Sequence, residues 1–287
     1  MPFYGGTLSF DDKSILDLFH RIEIIIGNPL SVAFRKFNPS LDPQSPPEST
    51  RAATLAALEV SYVKRSWLRA CASTRTVFPT EHERITYDPE FLLGLLSQTI
   101  VEEELKISDW LAFLETGILG LAIAALGSSS IGLRRLAQAT LADTLVKVQV
   151  SFRFSKSRID TDVVLQTLTF REKDEIALIL SHARNCVYSQ QGEAVPAIIA
   201  LFLANCMFLL GTPESTMYPS FSRFLLQRSL LDQRDVPMFY NLFYTTSEEP
   251  LEDQRWLLKF LADGLVRSQV SAASSSPVGS SADWEWE

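Results

Sequence analysis

The 287-residue chain has only three cysteines and three histidines. Cys71, Cys186 and Cys206 are odd in number and far apart, with no C-x-x-C pair. That excludes a disulfide framework and points to a reducing compartment. A surplus of positive charge is also lacking. The formal net charge of −8 and pI near 5.1 exclude global attraction to phosphate backbones or anionic membranes, and leave nucleic-acid contact to a local basic patch. No apolar run is long enough to span a bilayer, which takes about 20 residues. The best candidate, Val195 to Leu210, carries Asn205 near its middle and lacks basic flanks, so it reads as a buried core helix and the chain as soluble. Met1-Pro2-Phe3-Tyr4-Gly5-Gly6 has neither the charged region nor the apolar run of a secretory signal, and Asn38-Pro39-Ser40 has the proline that disqualifies glycosylation.

Motifs that carry chemistry are equally scarce. Gly117 and Gly120 fall within apolar helical sequence, without the strand and third glycine of a dinucleotide loop. Gly127-Ser-Ser-Ser-Ile-Gly132 is one residue too long for a nucleophile elbow. Ser61-x-x-Lys64 has the spacing of a serine–lysine pair and none of its companion motifs. His182 and Cys186, four apart on one predicted helix, offer a Cys–His dyad or half a metal site. His20 and His82 lie in unrelated contexts, and a half-buried helix face explains the pair more simply. Glu102-Glu103-Glu104 near Asp109 offers carboxylates for a cation, but consecutive helical residues point in different directions, so it reads as a solvated helix end. No cofactor and no metal is expected, and the chain reads as a non-enzyme.

What the sequence has in quantity is helix. With 46% apolar and 21% charged residues it has the composition of a folded globular chain. Ile15, Leu18, Phe19 and Ile22 recur at helical spacing over 8–26, with Ser9 or Asp11 to cap the start. Four prolines between Asn38 and Thr50 make a loop. One helix is predicted from Thr50 to Ala72, with Leu55, Leu58 and Tyr62 on one side. Another starts at Asp88-Pro89-Glu90, where a capping Asp, Pro at the first position and an acidic first turn coincide, and ends near Thr99. Ser108-Asp109 opens a short helix ending at Thr116-Gly117, and Ile118 to Leu126 forms a second that stops at Gly127. Ser130 then caps a long one with Leu133, Leu136, Thr140, Leu141 and Leu145 inward and Arg134, Arg135 and Gln138 outward. Val146 to Val150 alternates in polarity but ends this helix. Further helices are predicted at 171–189, 195–210, 216–228, 236–246 and 250–267. In the last, Leu257, Leu261 and Leu265 form an apolar row and Arg255, Lys259 and Asp263 a polar one.

Two short helices followed by a long one is the layout of an armadillo-type unit. The predicted fold is all-α, an armadillo/HEAT-like α-solenoid rather than a compact bundle. It divides into an N-terminal helix and Pro-rich loop (1–50), a helical-repeat domain (51–268) and a disordered Ser-rich acidic tail (269–287). The constellation with functional appeal is Phe152-Arg153-Phe154-Ser155-Lys156-Ser157-Arg158. Aromatics alternating with cations suit a nucleic-acid single strand, held by stacking and phosphate contacts. Arg153, Lys156 and Arg158, extended by Arg134 and Arg135, are therefore the candidate RNA-binding residues. An ordinary basic loop anchored by its two Phe is the competing explanation.

Several stretches resemble one family, the nucleolar pre-ribosomal-associated proteins, the large Urb/Npa scaffolds of eukaryotic ribosome assembly. They are Pro196-Ala-Ile-Ile-Ala-Leu-Phe-Leu, Met217-Tyr218-Pro219, Arg223-Phe224-Leu225-Leu226, Val236-Pro237-Met238-Phe239-Tyr240, Leu242-Phe243-Tyr244, and Arg255-Trp256-Leu257-Leu258 through Asp263-Gly264-Leu265. Upstream, Tyr4-Gly5-Gly6-Thr7-Leu8-Ser9, Tyr87-Asp88-Pro89-Glu90-Phe91-Leu92, Leu133-Arg134-Arg135-Leu136-Ala137 and Phe170-Arg171-Glu172-Lys173 fit in order. The likeness covers most of residues 4–268 and is strongest after Pro196. It implies a nucleolar, non-catalytic α-solenoid acting early in large-subunit maturation. Expected partners are pre-ribosomal particle proteins, a DEAD-box helicase, small nucleolar ribonucleoproteins and pre-rRNA, with no membrane and no small-molecule substrate. Members are far longer, so the resemblance also implies a C-terminal fragment or a separately encoded remnant. A general helical-repeat adaptor for proteins, without RNA contact, is the alternative, and an enzyme built on His182 and Cys186 a third reading.

Overall fold

A computed structural model describes residues 6–7, 10–26, 51–71, 86–154, 173–190, 192–228, 230–244 and 250–274. The loop predicted at 38–50, with Asn38-Pro39-Ser40, lies outside them, as do His82, residues 155–172 and residues 275–287. The described elements are all helices, and the only β pairing among the described residues is a single bridge between Thr7 and Tyr87.

Helix α1 (Phe10–Ile26) is tied to the rest where Asp88 N–H donates to Gly6 O at 2.8 Å. Ser9 is not among the described residues; Asp12, rather than Asp11, closes the first turn by accepting from Thr7 N–H at 2.9 Å. The single helix expected over 50–72 is two, α2 (Arg51–Ala56) and α3 (Val60–Cys71). The break is imposed by tertiary contacts. Leu58 is buried within it, Glu59 N–H reaches the Tyr87 hydroxyl at 3.5 Å, and the start of α2 is fixed from outside by the Glu103 carboxylate, which accepts from the N–H of Arg51 at 3.0 Å and of Ala52 at 3.3 Å. An anion at a helix N-terminus satisfies donors that have no partner within the helix. Glu102 pairs with the buried Arg51 guanidinium at 2.7 Å. So Glu102 and Glu103 hold α2 in place and are not merely a solvated helix end.

Helix α4 (Pro89–Glu102) begins as its sequence signal predicts, with the Asp88 carboxylate accepting from Glu90 N–H at 3.0 Å. It runs three residues past Thr99. In α5 (Ile107–Thr116), Lys106 occupies the cap and Asp109 accepts its N–H at 2.7 Å. Gly117 then turns the chain at φ +76°, a conformation that favours glycine, into α6 (Ile118–Ala124) and a 3-10 turn, Ala125–Gly127. Ser130 caps α7 (Ile131–Phe154), its hydroxyl accepting from Leu133 N–H at 3.4 Å. Residues 146–150 are helical, as read from the sequence, but the helix does not end there: it runs on to Phe154, so Phe152, Arg153 and Phe154 belong to it and not to a loop. The remaining elements are α8 (Lys173–Ser189), α9 (Ala197–Leu210), α10 (Tyr218–Leu226), α11 (Phe239–Phe243) and α12 (Pro250–Ser274). The last extends beyond the expected end at 267.

The core is organised around α6, of which every residue from Ile118 to Ala124 is buried. It contacts α3, α4, α5, α7 and, most extensively, α9. Among α2 to α7, α2 lies against α5, α3 against α6 and α4 against α7. Helix α9, the apolar run from the sequence, is core as expected; Asn205 satisfies its own amide on Leu201 O at 2.8 Å. No described helix is by itself long and apolar enough to cross a membrane, and the α5–α6 pair, apolar together, is bent by 60°. An aromatic cluster joins α9, α10 and α12. Phe202 stacks on Phe221 at 5.4 Å, and Trp256 stacks on Phe260 at 5.2 Å while presenting its edge to Phe221 at 5.0 Å.

Trp67 of α3 lies close across α6. Its Nε1–H donates to Gly117 O at 3.0 Å, and a Cβ built on Gly120 would stand 2.4 Å from Trp67 Cζ2. The indole is held by its hydrogen bond, so it cannot swing aside. Gly120→Ala is expected to destabilise the chain by about 1–3 kcal/mol, the usual cost of overpacking. In a Trp67→Leu background the clash is gone and the same change should turn neutral or stabilising, since Ala exceeds Gly in a helix by about 0.8–1 kcal/mol. Urea denaturation of the four proteins in this cycle checks the reversal of sign.

Candidate interaction surfaces

Of the five candidate RNA-binding residues, the structure describes the surroundings of two. Arg134 is half-buried at the start of α7, where its Nη1 donates to Ser128 O at 2.7 Å and Ser129 O at 3.1 Å, and its Nη2 to Gly192 O at 3.5 Å. It clamps the turn before α7 to the segment after α8, a structural duty that its basic character in the sequence does not reveal. Arg135 is exposed, on the face of α7 that also exposes Ala139, Ala142 and Val146. Arg153 belongs to the same helix, but its side chain lies outside the described residues, as do Lys156 and Arg158 entirely. Eighteen residues at 3.6 per turn make five full turns, so the backbone positions of Arg135 and Arg153 share one helix face, about 27 Å apart.

The dyad that His182 and Cys186 suggested has the electrostatics of a core. Both are buried on α8, and burial pushes the Cys186 thiol up to about 11 and the imidazole of His182 below its ordinary value. An activated thiolate needs the opposite shifts. Neither ring nitrogen of His182 makes a hydrogen bond of ordinary geometry, and the Leu225 backbone offsets only part of the effect of burial. All three cysteines are buried and none is in a disulfide. Among the described residues no three His, Cys, Asp or Glu side chains gather as metal ligands would. The Gly127–Gly132 segment serves the turn into α7, with Ser128 Oγ accepting from Ser130 N–H at 3.2 Å.

Two surfaces went unread in the sequence. The first is an aromatic ledge on α11. Phe239 stacks on Phe243 at 5.5 Å and Tyr240 on Tyr244 at 6.4 Å, each pair within 6° of parallel. Tyr240 is 66% and Tyr244 71% exposed, well beyond what scattered surface apolars require. Its signal was the i,i+4 spacing of the two aromatic pairs. The ledge is set by a tight turn in which Phe239 N–H donates to Val236 O at 3.2 Å, with Pro237 second and Met238 third at φ +61°. This is the arrangement of a type II turn, whose third position favours glycine. Met238 holds it because its side chain, 3% exposed, fills the space beneath the ledge.

The second is an open groove of about 420 Å³ bounded by α3, α9 and α12. Lys64, Arg65 and Leu68 line one wall, Trp256, Lys259, Phe260 and Asp263 the other. The Lys64 ammonium sits 3.6 Å from the centre of the Phe208 ring, a cation–π contact. Burial, and secondarily the charge of Lys259, lowers its pKa. Ser61 and Lys64, paired by spacing in the sequence, both border this groove. The sequence exposed Lys259 and Asp263 as a polar row but gave no sign that α3 faces them.

The described residues thus define a class: an all-helical protein with a closed apolar core, whose distinctive chemistry lies on exposed surfaces. Residues 119–272, more than half of the chain, match the family described as nucleolar pre-ribosomal-associated protein 1, and the chain belongs to that family. The human nucleolar pre-ribosomal-associated protein 1 is 26% identical across 93% of this chain, and the mouse protein of the same name 30% identical across 62%. The chain spans 12% of the human protein's length, and its match to the mouse protein spans 7% of that protein. No solved structure matches it.

Two measurements follow from these sites. Met238→Ala keeps the left-handed backbone and loses the buried side chain, which costs about 2–5 kcal/mol. Met238→Gly loses the same atoms but relieves about 1–2 kcal/mol of backbone strain. The glycine variant should therefore be the more stable of the two, the reverse of the order at ordinary positions, by thermal or urea unfolding. For His182, the lowered folded-state pKa means that the unfolded chain takes up the proton first as pH falls below 6.5. Its contribution is complete above that pH and is lost towards the lower folded-state pKa, at up to about 1.4 kcal/mol per pH unit. Urea midpoints at pH 7.5 and 5.5 should fall more steeply for the native chain than for His182→Leu.

Proposed function

We propose that this chain is a non-catalytic α-solenoid scaffold of the nucleolus, acting in early large-subunit biogenesis, where pre-rRNA is processed and pre-ribosomes assemble. The family match across residues 119–272 carries this reading. The names of the human and mouse relatives support its nucleolar and pre-ribosomal parts.

The solenoid form is supported by the like-against-like contacts of α2 with α5, α3 with α6 and α4 with α7. Stacked copies of one three-helix unit meet in that register, each burying the face its neighbour leaves open. The partners are proteins of the pre-ribosomal particle, for which the exposed Tyr240 and Tyr244 form a suitable aromatic surface. A DEAD-box helicase and small nucleolar ribonucleoproteins are the finer set that the family resemblance carries.

Pre-rRNA contact belongs to the same proposal, through Arg135, Arg153, Lys156 and Arg158, with Arg134 beside them. Co-sedimentation of the tagged chain with pre-ribosomal particles, lost on truncation before Val195, is the outcome expected of a scaffold; sedimentation only as free protein would reject it. Four phosphate contacts on a single strand predict a log–log salt slope of roughly −3. Charge reversal at Arg135, Arg153, Lys156 and Arg158 should flatten it. A slope near zero in the native chain selects the adaptor without RNA contact.

A further inference from the structure

The groove between α3, α9 and α12 combines three cations and one acid with an apolar floor, in a chain whose net charge is −8. Cations gathered in that way seek an anion with apolar character. The sequence holds one segment of that composition: residues 283–287, Asp-Trp-Glu-Trp-Glu, which follow α12, the helix that forms one wall. We propose that the groove lined by Lys64, Arg65, Trp256 and Lys259 is the docking site of the chain's own acidic tryptophan segment, 283–287.

Three arguments support that occupant over others. The first is charge. Asp283, Glu285 and Glu287 bring three carboxylates to a lining that carries Lys64, Arg65 and Lys259 against Asp263. The second is shape. Extended residues point alternately to opposite sides. Asp283, Glu285 and Glu287 alternate with Trp284 and Trp286, so the segment in extended form offers its three carboxylates on one side and its two indoles on the other. A volume of about 420 Å³ is that of a pocket for a compact ligand, and large side chains fill such a space. Indole faces also accept the neighbouring ammonium and guanidinium groups. The third is reach. From Lys259 to Ser274 the helix rises about 22 Å, whereas the nine residues 275–283 span up to about 30 Å when extended. The chain is therefore long enough to double back, and a tethered segment competes at an effective concentration in the millimolar range.

The inference stands apart from the ribosome-assembly reading and is tested without it. Zero-length carbodiimide coupling of the full chain in dilute solution joins lysines to carboxylates in contact, and peptide mapping locates the joins. The expected result is coupling of Lys259 or Lys64 to Asp283, Glu285 or Glu287 within the monomer. It should be lost in 1 M salt, in the triple variant Asp283→Asn, Glu285→Gln, Glu287→Gln, and in Trp284→Ala with Trp286→Ala. The tryptophan variant keeps every reactive group, so its loss of coupling separates docking from mere tethering. Coupling spread equally to Lys106 and Lys147, coupling unchanged in the tryptophan variant, joins found only between two chains, or no joins would each overturn the proposal.

Discussion

A helix without a polar side chain has to be surrounded, and that constraint organises this molecule. Helix α6 reads Ile-Leu-Gly-Leu-Ala-Ile-Ala, so no face of it suits water. Full burial is reached by covering it with α3, α4, α5, α7 and α9 together. Its small residues allow near approach, and the Trp67 indole takes the place that a side chain at Gly120 would occupy. The Trp67 hydrogen bond to Gly117 O then fixes α3 against the start of α6 while satisfying a buried donor. With α3 and α9 on two sides of α6, the groove they border with α12 follows.

How much of this was legible depended on whether the cause was local. The α5–α6–α7 series was readable because each boundary has its own chemistry: Gly117 at φ +76°, the turn at Gly127, the Ser130 cap. The start of α4 was readable for the same reason. The break between α2 and α3 was not, since residues 51–71 have one helical periodicity and the Tyr87 hydroxyl that meets Glu59 N–H within the break lies far along the chain. Glu102 and Glu103 were misread by the same logic. Three adjacent carboxylates look like a solvated end until the N-terminus of α2 is placed against two of them.

The surfaces divide in the same way. Arg135 was recognisable as an outward cation because its helix has a clear inner face. Arg134, next to it, is engaged with three backbone carbonyls contributed by two separate loops. The groove was illegible because its walls come from residues 61–68, 201–205 and 256–263, and only the packing of α9 between them brings α3 opposite α12. The aromatic ledge had a visible i,i+4 pattern, but its exposure is set by the turn at Met238, where a residue unsuited to φ +61° is kept by the space it fills. Burial energy exceeds backbone strain there, and the outcome is a short helix that presents its rings outward.

The overall acidity of the chain and its local cations are consistent once distance and screening are considered. At physiological ionic strength, exposed charges more than about 8 Å apart are largely screened. A net charge of −8 spread over the surface therefore acts mainly against long-range approach of polyanions, and local clusters decide contact at short range. The Lys64–Arg65–Lys259 cluster lies in a concave site with aromatic walls, where charges are less hydrated than on an open face. Arg135 lies on an open helix side among alanines and a valine, where solvent screens it fully. The two cationic regions thus suit different occupants. The open face matches an extended polyanion held by many weak contacts. The groove suits a short segment that joins carboxylates to indole rings, because such a ligand meets both its cations and its apolar floor.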